Sequence, residues 1–261
     1  MKTIVVIPCF NDQKGLIDTL DSIDEGETLD VLIIDDGSDP HMSLEGYKIR
    51  FPGNIILHRN FENSGIEFSL NYGLRYALDH DYGYIARVDS GDYVVKNRFS
   101  LQKKYMIEHD LDLCGTWVDV INERGEHIFY LKHPVADRDI KIAIKKFNPF
   151  VHPSVMMTAL FVRRNGEYPS EYPALEDWAY FMKARGFAKM GTVPQILTRY
   201  VVSPRSISSR KRKLQARSKI RLLIDNFDYD ASSIFGVARS ISIMFISREF
   251  LNKVKSIVWG R

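Results

Sequence analysis

In the stretch Tyr84-Ile85-Ala86-Arg87-Val88-Asp89-Ser90-Gly91-Asp92 an apolar strand pattern runs into two carboxylates held apart by small residues. Acids at a strand end suit a hard cation such as Mg²⁺ or Mn²⁺, with the phosphates of a substrate completing its oxygen shell. Asp89 and Asp92 are therefore candidate metal ligands, although an Asp/Ser/Gly turn leaving a strand has the same composition. Other polar groups share the pattern. Asp35-Asp36-Gly37-Ser38-Asp39-Pro40 is a second acidic strand exit, and Glu176-Asp177 opens a helical pattern where acids favour the helix dipole.

These groups need elements to hold them. Thr3 to Pro8 and Leu29 to Ile34 are continuous apolar runs, as strands buried on both faces are, with a helix expected between them from about Asp12 to Ile23. Asn54 to Leu57 is a third short strand. Asn63-Ser64-Gly65 opens a helix, with Asn63 or Ser64 as its cap, and Gly83 to Val88 is a fourth strand. Helices are expected from Arg98 to about His109, from Arg138 to Lys146 and from Glu176 to about Arg185. Asp112 to Gly115, Trp117 to Ile121, Ile128 to Leu131, Ser154 to Val162 and Lys189 to Tyr200 are expected as strands. Alternating strands and helices predict an α/β fold, a single doubly wound and mostly parallel sheet flanked by helices, whose ligands gather at the carboxyl ends of the strands.

The chain of 261 residues is 45% hydrophobic, enough for one such domain, taken as residues 1–203. Cys9 and Cys114 lie far apart in apolar runs, as buried free thiols do. The amino-terminal apolar run is too short for a signal peptide, and no stretch approaches the roughly 20 residues of a spanning helix, so a cytoplasmic location is expected. Charge is unevenly spread. Residues 199–261 hold 14 Lys and Arg against 4 acids, a net +10, while the first 198 residues hold 22 against 29, a net −7. Residues 204–261 are expected as a basic, amphipathic helical extension. Ile234, Val237, Ile241, Phe245, Leu251, Val254 and Val258 recur at helical spacing among basic residues. Such helices lie on an anionic membrane surface, or pack on the body or on a second subunit. Nucleic acid, the other anionic partner considered, is not expected.

Taken in order, these residues resemble the family 2 glycosyltransferases of the GT-A fold, of the bacterial kind that build O-antigen, capsule and exopolysaccharide. The resemblance rests on Val6-Ile7-Pro8-Cys9-Phe10-Asn11, Asp35-Asp36-Gly37-Ser38, Asn60, Asn63-Ser64-Gly65 and Leu70-Asn71-Tyr72-Gly73. It continues through Ala86 to Asp92, Asn97-Arg98-Phe99, His152-Pro153-Ser154 and Glu176-Asp177, and covers roughly residues 1 to 200. It implies an inverting transfer from a nucleotide sugar, a UDP-sugar, to a saccharide acceptor that is lipid-linked, at the inner face of the cell membrane.

The resemblance also implies roles. Pro8, Phe10, Asn11, Asp36, Asn63, Gly65, Arg87 and Asp89 would bind the nucleotide sugar, Phe10 by stacking on the base. Asp89 and Asp92 would hold Mn²⁺ or Mg²⁺. Asp177 would be the base that takes the acceptor proton, with Glu176 and His152 in support or touching the acceptor. Here the chain departs from the family: Gly91 stands where a middle carboxylate, the one most often tied to the metal, is usual. Arg87 or Arg98 would then take part of the diphosphate charge, or would pair structurally with Asp89 or Asp92. A catalytically impaired subunit that binds sugar nucleotides is the second reading. A dinucleotide oxidoreductase is disfavoured, because the first strand exits through Pro-Cys-Phe-Asn without a glycine-rich turn.

Overall fold

The computed structural model of the chain describes residues 1–202 and 212–244. Among the described residues nine strands form one mixed sheet: β1 (Thr3–Cys9), β2 (Leu29–Asp35), β3 (Ile55–Arg59), β4 (Tyr84–Arg87), β5 (Tyr93–Val94), β6 (Leu113–Asn122), β7 (His127–Leu131), β8 (Met156–Thr158) and β9 (Met190–Val202). Their order is β3-β2-β1-β4-β8-β6-β9-β5, with β7 paired to β6. Parallel pairings (β3/β2, β2/β1, β1/β4 and β6/β9) make up most of the paired length. The helices are α1 (Gln13–Asp21), α2 (Ile66–Asp79), α3 (Arg98–His109), α4 (Asp137–Ala143), α5 (Ala159–Asn165), α6 (Glu176–Ala184), α7 (Arg212–Asp225) and α8 (Ala231–Met244).

The continuous apolar run of β1 is explained by burial on both faces. Ile4 and Val6 join Leu32, Ile34, Leu70 and Leu74 on the α2 side, while Val5 and Ile7 join Val31, Ile33, Leu16 and Leu20 on the α1 side. The chain steps outward from β1 through β2 to β3, then returns to place β4 on the other side of β1. This reversal is the switch point at which open α/β sheets bind ligands. It brings three exits together: Cys9 to Asp12, Asp35 to Ser38, and Val88 to Asp92.

Three expected elements differ. Ser154 to Val162 is not one strand: after a 3₁₀ turn at His152–Ser154, β8 ends at Thr158 and α5 begins. The Thr158 hydroxyl accepts the Phe161 N–H at 3.0 Å and caps the helix, a choice that an unbroken apolar run does not reveal. The two strands expected between Asp112 and Ile121 fuse into β6, with irregular register to β9 between Thr116 and Val118. Finally, α2 starts after Gly65 with no side-chain cap, so neither Asn63 nor Ser64 caps it.

The helix pair α7–α8 packs on the body. Leu222 and Leu223 enter the same buried cluster as Phe161, Trp178 and Phe181. Lys145 reaches Asp228 at 2.8 Å and Asp230 at 2.6 Å, and Arg185 reaches Asp228 at 3.0 Å. Phe245, Leu251, Val254, Val258 and the basic residues Arg210 and Lys211 lie outside the described residues. No helix among the described residues is long and apolar enough to cross a membrane.

Candidate active site

A cleft of about 250 Å³ opens at the carboxyl ends of β1 and β2. Pro8, Phe10, Asp36, Asn63, Gly65 and Glu176 line it, joined by Cys9, Ile66, Glu67 and Ala174. It falls just below the roughly 300–1,000 Å³ of small-molecule sites, so it suits one moiety of a larger ligand. Phe10 is 48% exposed, an unusual cost for a phenyl ring unless it serves as a stacking surface.

Asp36 organises one wall. Its buried carboxylate accepts from the Asn60 amide at 2.6 Å and from the backbone N–H groups of Ser64 at 3.1 Å and Gly65 at 3.0 Å. Gly37, at φ 74°, permits the close approach, since a Cβ there would fall 2.4 Å from the Glu62 carbonyl carbon. Asn11 ties the β1 and β2 exits by donating its N–H to Ser38 Oγ and accepting from the Asp39 N–H, both at 2.9 Å. It is not among the cleft-lining residues. Replacing Asp36 with Ala should strand the donors of the 60–65 loop and destabilise the protein by about 1–3 kcal/mol, read as a lower urea midpoint.

The acidic element is held from beneath by α1. Thr19 Oγ1 accepts the Gly91 N–H at 2.9 Å and donates to the Asp92 carbonyl at 2.8 Å, while Ser90 Oγ donates to the Asp12 carboxylate at 2.8 Å. Arg87 closes β4 as a buried cation, with Nη2 2.7 Å from Asp89 and with Nε and Nη1 lacking a hydrogen-bond partner. Burial opposes its charge, but the Asp89 carboxylate more than restores it. Arg98 is structural: it is fully buried, donates to the Arg87 carbonyl at 2.9 Å, and burial pulls its pKa down to about 9.

The acid pair sits at the start of α6. Asp177 is hydrogen-bonded through both oxygens, to the Asn148 amide at 2.7 Å and to the Trp178 N–H at 2.6 Å, and burial raises its pKa. Glu176 faces the cleft with Oε2 unpartnered, and burial together with the Asp177 charge lifts its pKa to about 7. Arg87 and Asp89 both act on Asp177, the first favouring its charged form and the second opposing it. The β4 exit and the start of α6 thus share one electrostatic field. His152 lies elsewhere than expected: it is 7% exposed, its Nε2 meets the Tyr168 hydroxyl at 3.0 Å, and burial and Arg87 hold it neutral. Trp178 and Tyr168 are core residues too.

The residues present do not fit an assembled divalent-cation site. Asp92 is 3% exposed and turned inward, where Oδ1 accepts the Val201 N–H at 2.8 Å. Burial and the nearby Asp89 charge push its pKa well above the usual carboxylate range. Gly91 contributes no side chain, and Asp89 is paired with Arg87. Among the described residues no three His, Cys, Asp or Glu side chains are grouped to hold a metal. Asp89 and Asp92 are thus not brought together as ligands in this structure.

Sequence reasoning missed Asp12, Thr19, Glu67 and Ala174. Glu67 had a signal, as a first-turn acid of the helix opened by Gly65. Ala174 had none, since its left-handed φ of 63° is carried by a residue that rarely adopts it.

Residues 4–165 match the model of the family described as "Glycosyl transferase family 2". The chain is 40% identical over 103 residues to the O-antigen biosynthesis glycosyltransferase WbnJ of Escherichia coli, covering 40% of this chain and 39% of the relative. It is 26% identical over 204 residues to an uncharacterized glycosyltransferase of Rickettsia felis, covering 77% of this chain and 33% of the relative. The matches thus span about a third to two-fifths of the length of these curated relatives. Among solved structures, S. aureus TarS 1–349 in complex with UDP-GlcNAc superposes with a TM-score of 0.66 at 19% identity, covering 98% of this chain and 73% of that one. The mannosyltransferase PcManGT of Pyrobaculum calidifontis, in complex with GDP-Man and Mn²⁺, gives 0.61 at 14%, covering 94% and 70%. At these identities the likeness shows a shared fold.

Proposed function

The chain belongs to glycosyl transferase family 2, and from that premise we propose that it moves a sugar from a UDP-sugar donor to a saccharide acceptor with inversion. The observation that carries the reading is that Pro8, Phe10, Asp36 and Glu176 line one cleft, with Asp177 next to Glu176 in the field of Arg87 and Asp89. Phe10 offers the base a stacking face, and the loop fixed by Asp36 offers backbone groups to the ribose. The acceptor hydroxyl gives its proton to the acid pair as its oxygen bonds to the anomeric carbon, and the diphosphate departs with the electrons of the broken C–O bond. Arg87, buried beside Asp89 with two N–H groups unmet, would offer positive charge toward that leaving group. A Mn²⁺ or Mg²⁺ ion would have to enter with the donor, with Asp89 as the one partly exposed carboxylate of its element. A lipid-linked acceptor in bacterial surface polysaccharide assembly, met at the inner membrane face, is supported by the E. coli relative and by the basic carboxyl-terminal segment. The inward Asp92 and Gly91 favour one second reading, a subunit that binds sugar nucleotides without turnover.

A thermal-shift screen against UDP-, GDP-, dTDP- and CDP-sugars, each with and without Mn²⁺, tests the pocket. A UDP-sugar should raise Tm most, and no shift with any of them would overturn the reading; a shift without turnover would select the second. The pH profile follows from Glu176. Its carboxyl must lose a proton to accept one, so kcat/KM should climb as pH rises through about 7, and a flat profile there would exclude it. Stability runs the other way. A raised folded pKa means that the Glu176 contribution is full below the ordinary glutamate range and is lost as pH approaches about 7.

A further inference from the structure

The last described helix buries small residues and, Val237 apart, leaves the large apolar ones from Ile234 to Ile241 exposed. In α8, Ser233, Gly236 and Ser240 are buried against the protein, whereas Ile234 is 58%, Phe235 56% and Ile241 43% exposed. A surface helix ordinarily turns its large apolar residues inward. The small inner residues have a local reason: a Cβ on Gly236 would lie 2.0 Å from the Lys145 carbonyl oxygen, so the helix backbone rests directly on the chain just after α4. Their hydroxyls are also satisfied, with Ser240 Oγ donating to the Gly236 carbonyl at 2.7 Å and Ser233 Oγ accepting from the Asp228 N–H at 3.4 Å. The outer stripe Ile234–Ala238–Ile241 follows helical spacing and stays exposed; Phe235 beside it is half-exposed, with Lys146 Nζ 5.8 Å from the centre of its ring.

We propose that this outward face of α8 docks the protein on an anionic phospholipid bilayer. Ile234, Phe235 and Ile241 enter the acyl boundary while the exposed Arg239 and Arg217 meet the headgroups. Charge decides among occupants. Helices α7 and α8 carry Arg212, Lys213, Arg217, Lys219, Arg221 and Arg239 against a single acid, Asp225, so a second copy seated here would bring two cationic helix pairs together. A nucleic acid would satisfy the charge and leave the apolar stripe in water. An acidic lipid surface answers both. The proposal rests on the membrane part of the function proposed above and not on its transfer chemistry.

The test uses the full chain and vesicles of phosphatidylcholine alone or mixed with phosphatidylglycerol. Wild type should sediment with the mixed vesicles and far less with phosphatidylcholine. The triple substitution Ile234→Ser, Phe235→Ser, Ile241→Ser should lower that binding at least about tenfold. Arg239→Glu, which keeps the apolar stripe, should weaken binding to the mixed vesicles alone. Donor-induced thermal shift should be unchanged in both variants, which also shows that they are folded. Equal vesicle binding by wild type and the triple variant would overturn the proposal, as would equal binding to both lipids, or a wild-type dimer that the triple variant dissociates without any vesicle binding. Failure of every nucleotide sugar to shift Tm, with vesicle binding intact, would instead remove the transferase reading and leave the docking face standing.

Discussion

Asp177→Asn and Glu176→Gln should each lower sugar transfer by about 10²–10⁴-fold while leaving the donor-induced rise in Tm in place. The two acids share one burial and one electrostatic field, but they are held differently. Asp177 has both oxygens engaged by Asn148 and Trp178, whereas Glu176 lines the cleft and its buried Oε2 has no partner. Glu176→Gln should therefore also erase the inflection near pH 7, because the titrating group is gone. Asp177→Asn should shift it downward, because the charge that helps raise Glu176 is gone. Groups that act as a unit are not additive, so the double variant should lose little more than the worse single one. Single-turnover transfer with saturating donor measures all three. Activity within threefold of wild type in both single variants would remove the pair from the chemistry.

Arg87→Met should cost about 3 kcal/mol of stability, the lower end for breaking a buried ion pair, since Asp89 keeps one-third of its surface in water. Urea unfolding followed by circular dichroism reads this directly. A second effect separates Arg87 from a merely structural cation. Its charge favours the ionised forms of Glu176 and Asp177, so without it the limb of the pH profile should move to higher pH. Arg87→Lys should restore part of that shift while still lacking the guanidinium N–H groups beside Asp89. A destabilised Arg87→Met with an unmoved profile would confine the residue to holding the fold.

The positions of the first strands were legible because strands buried on both faces read as unbroken apolar runs, and β1, β2 and β4 are such strands. The same rule misled at Ser154 to Val162, where apolar residues fill a short strand and then a helix, and the deciding hydrogen bond from the Phe161 N–H to Thr158 is invisible to periodicity. The exits were legible because Asp, Gly and Ser mark the points at which a strand becomes a turn. What each acid does there was not. Asp92 is turned inward by the N–H of Val201, 109 residues away, and Asp177 is occupied by Asn148 across 29 residues. His152 was read as a group available to an acceptor, but Tyr168 and Phe181 enclose it. Residue type and spacing report which groups reach a neighbourhood; orientation is decided by partners that are distant in the chain.

The wall of the cleft opposite Asp36 does not stand unaided. Gln215 of α7 donates to the Ala174 carbonyl at 3.1 Å, Lys219 lies 5.3 Å from the centre of the Trp178 ring, and the Tyr172 hydroxyl donates to Asp225 at 2.9 Å. A chain cut back to the end of β9 would lose that buttress, so the helix pair is masonry and not a detachable handle. A sugar donor meeting such a fragment would find the ledge for its base intact and the far side of the vessel open to solvent.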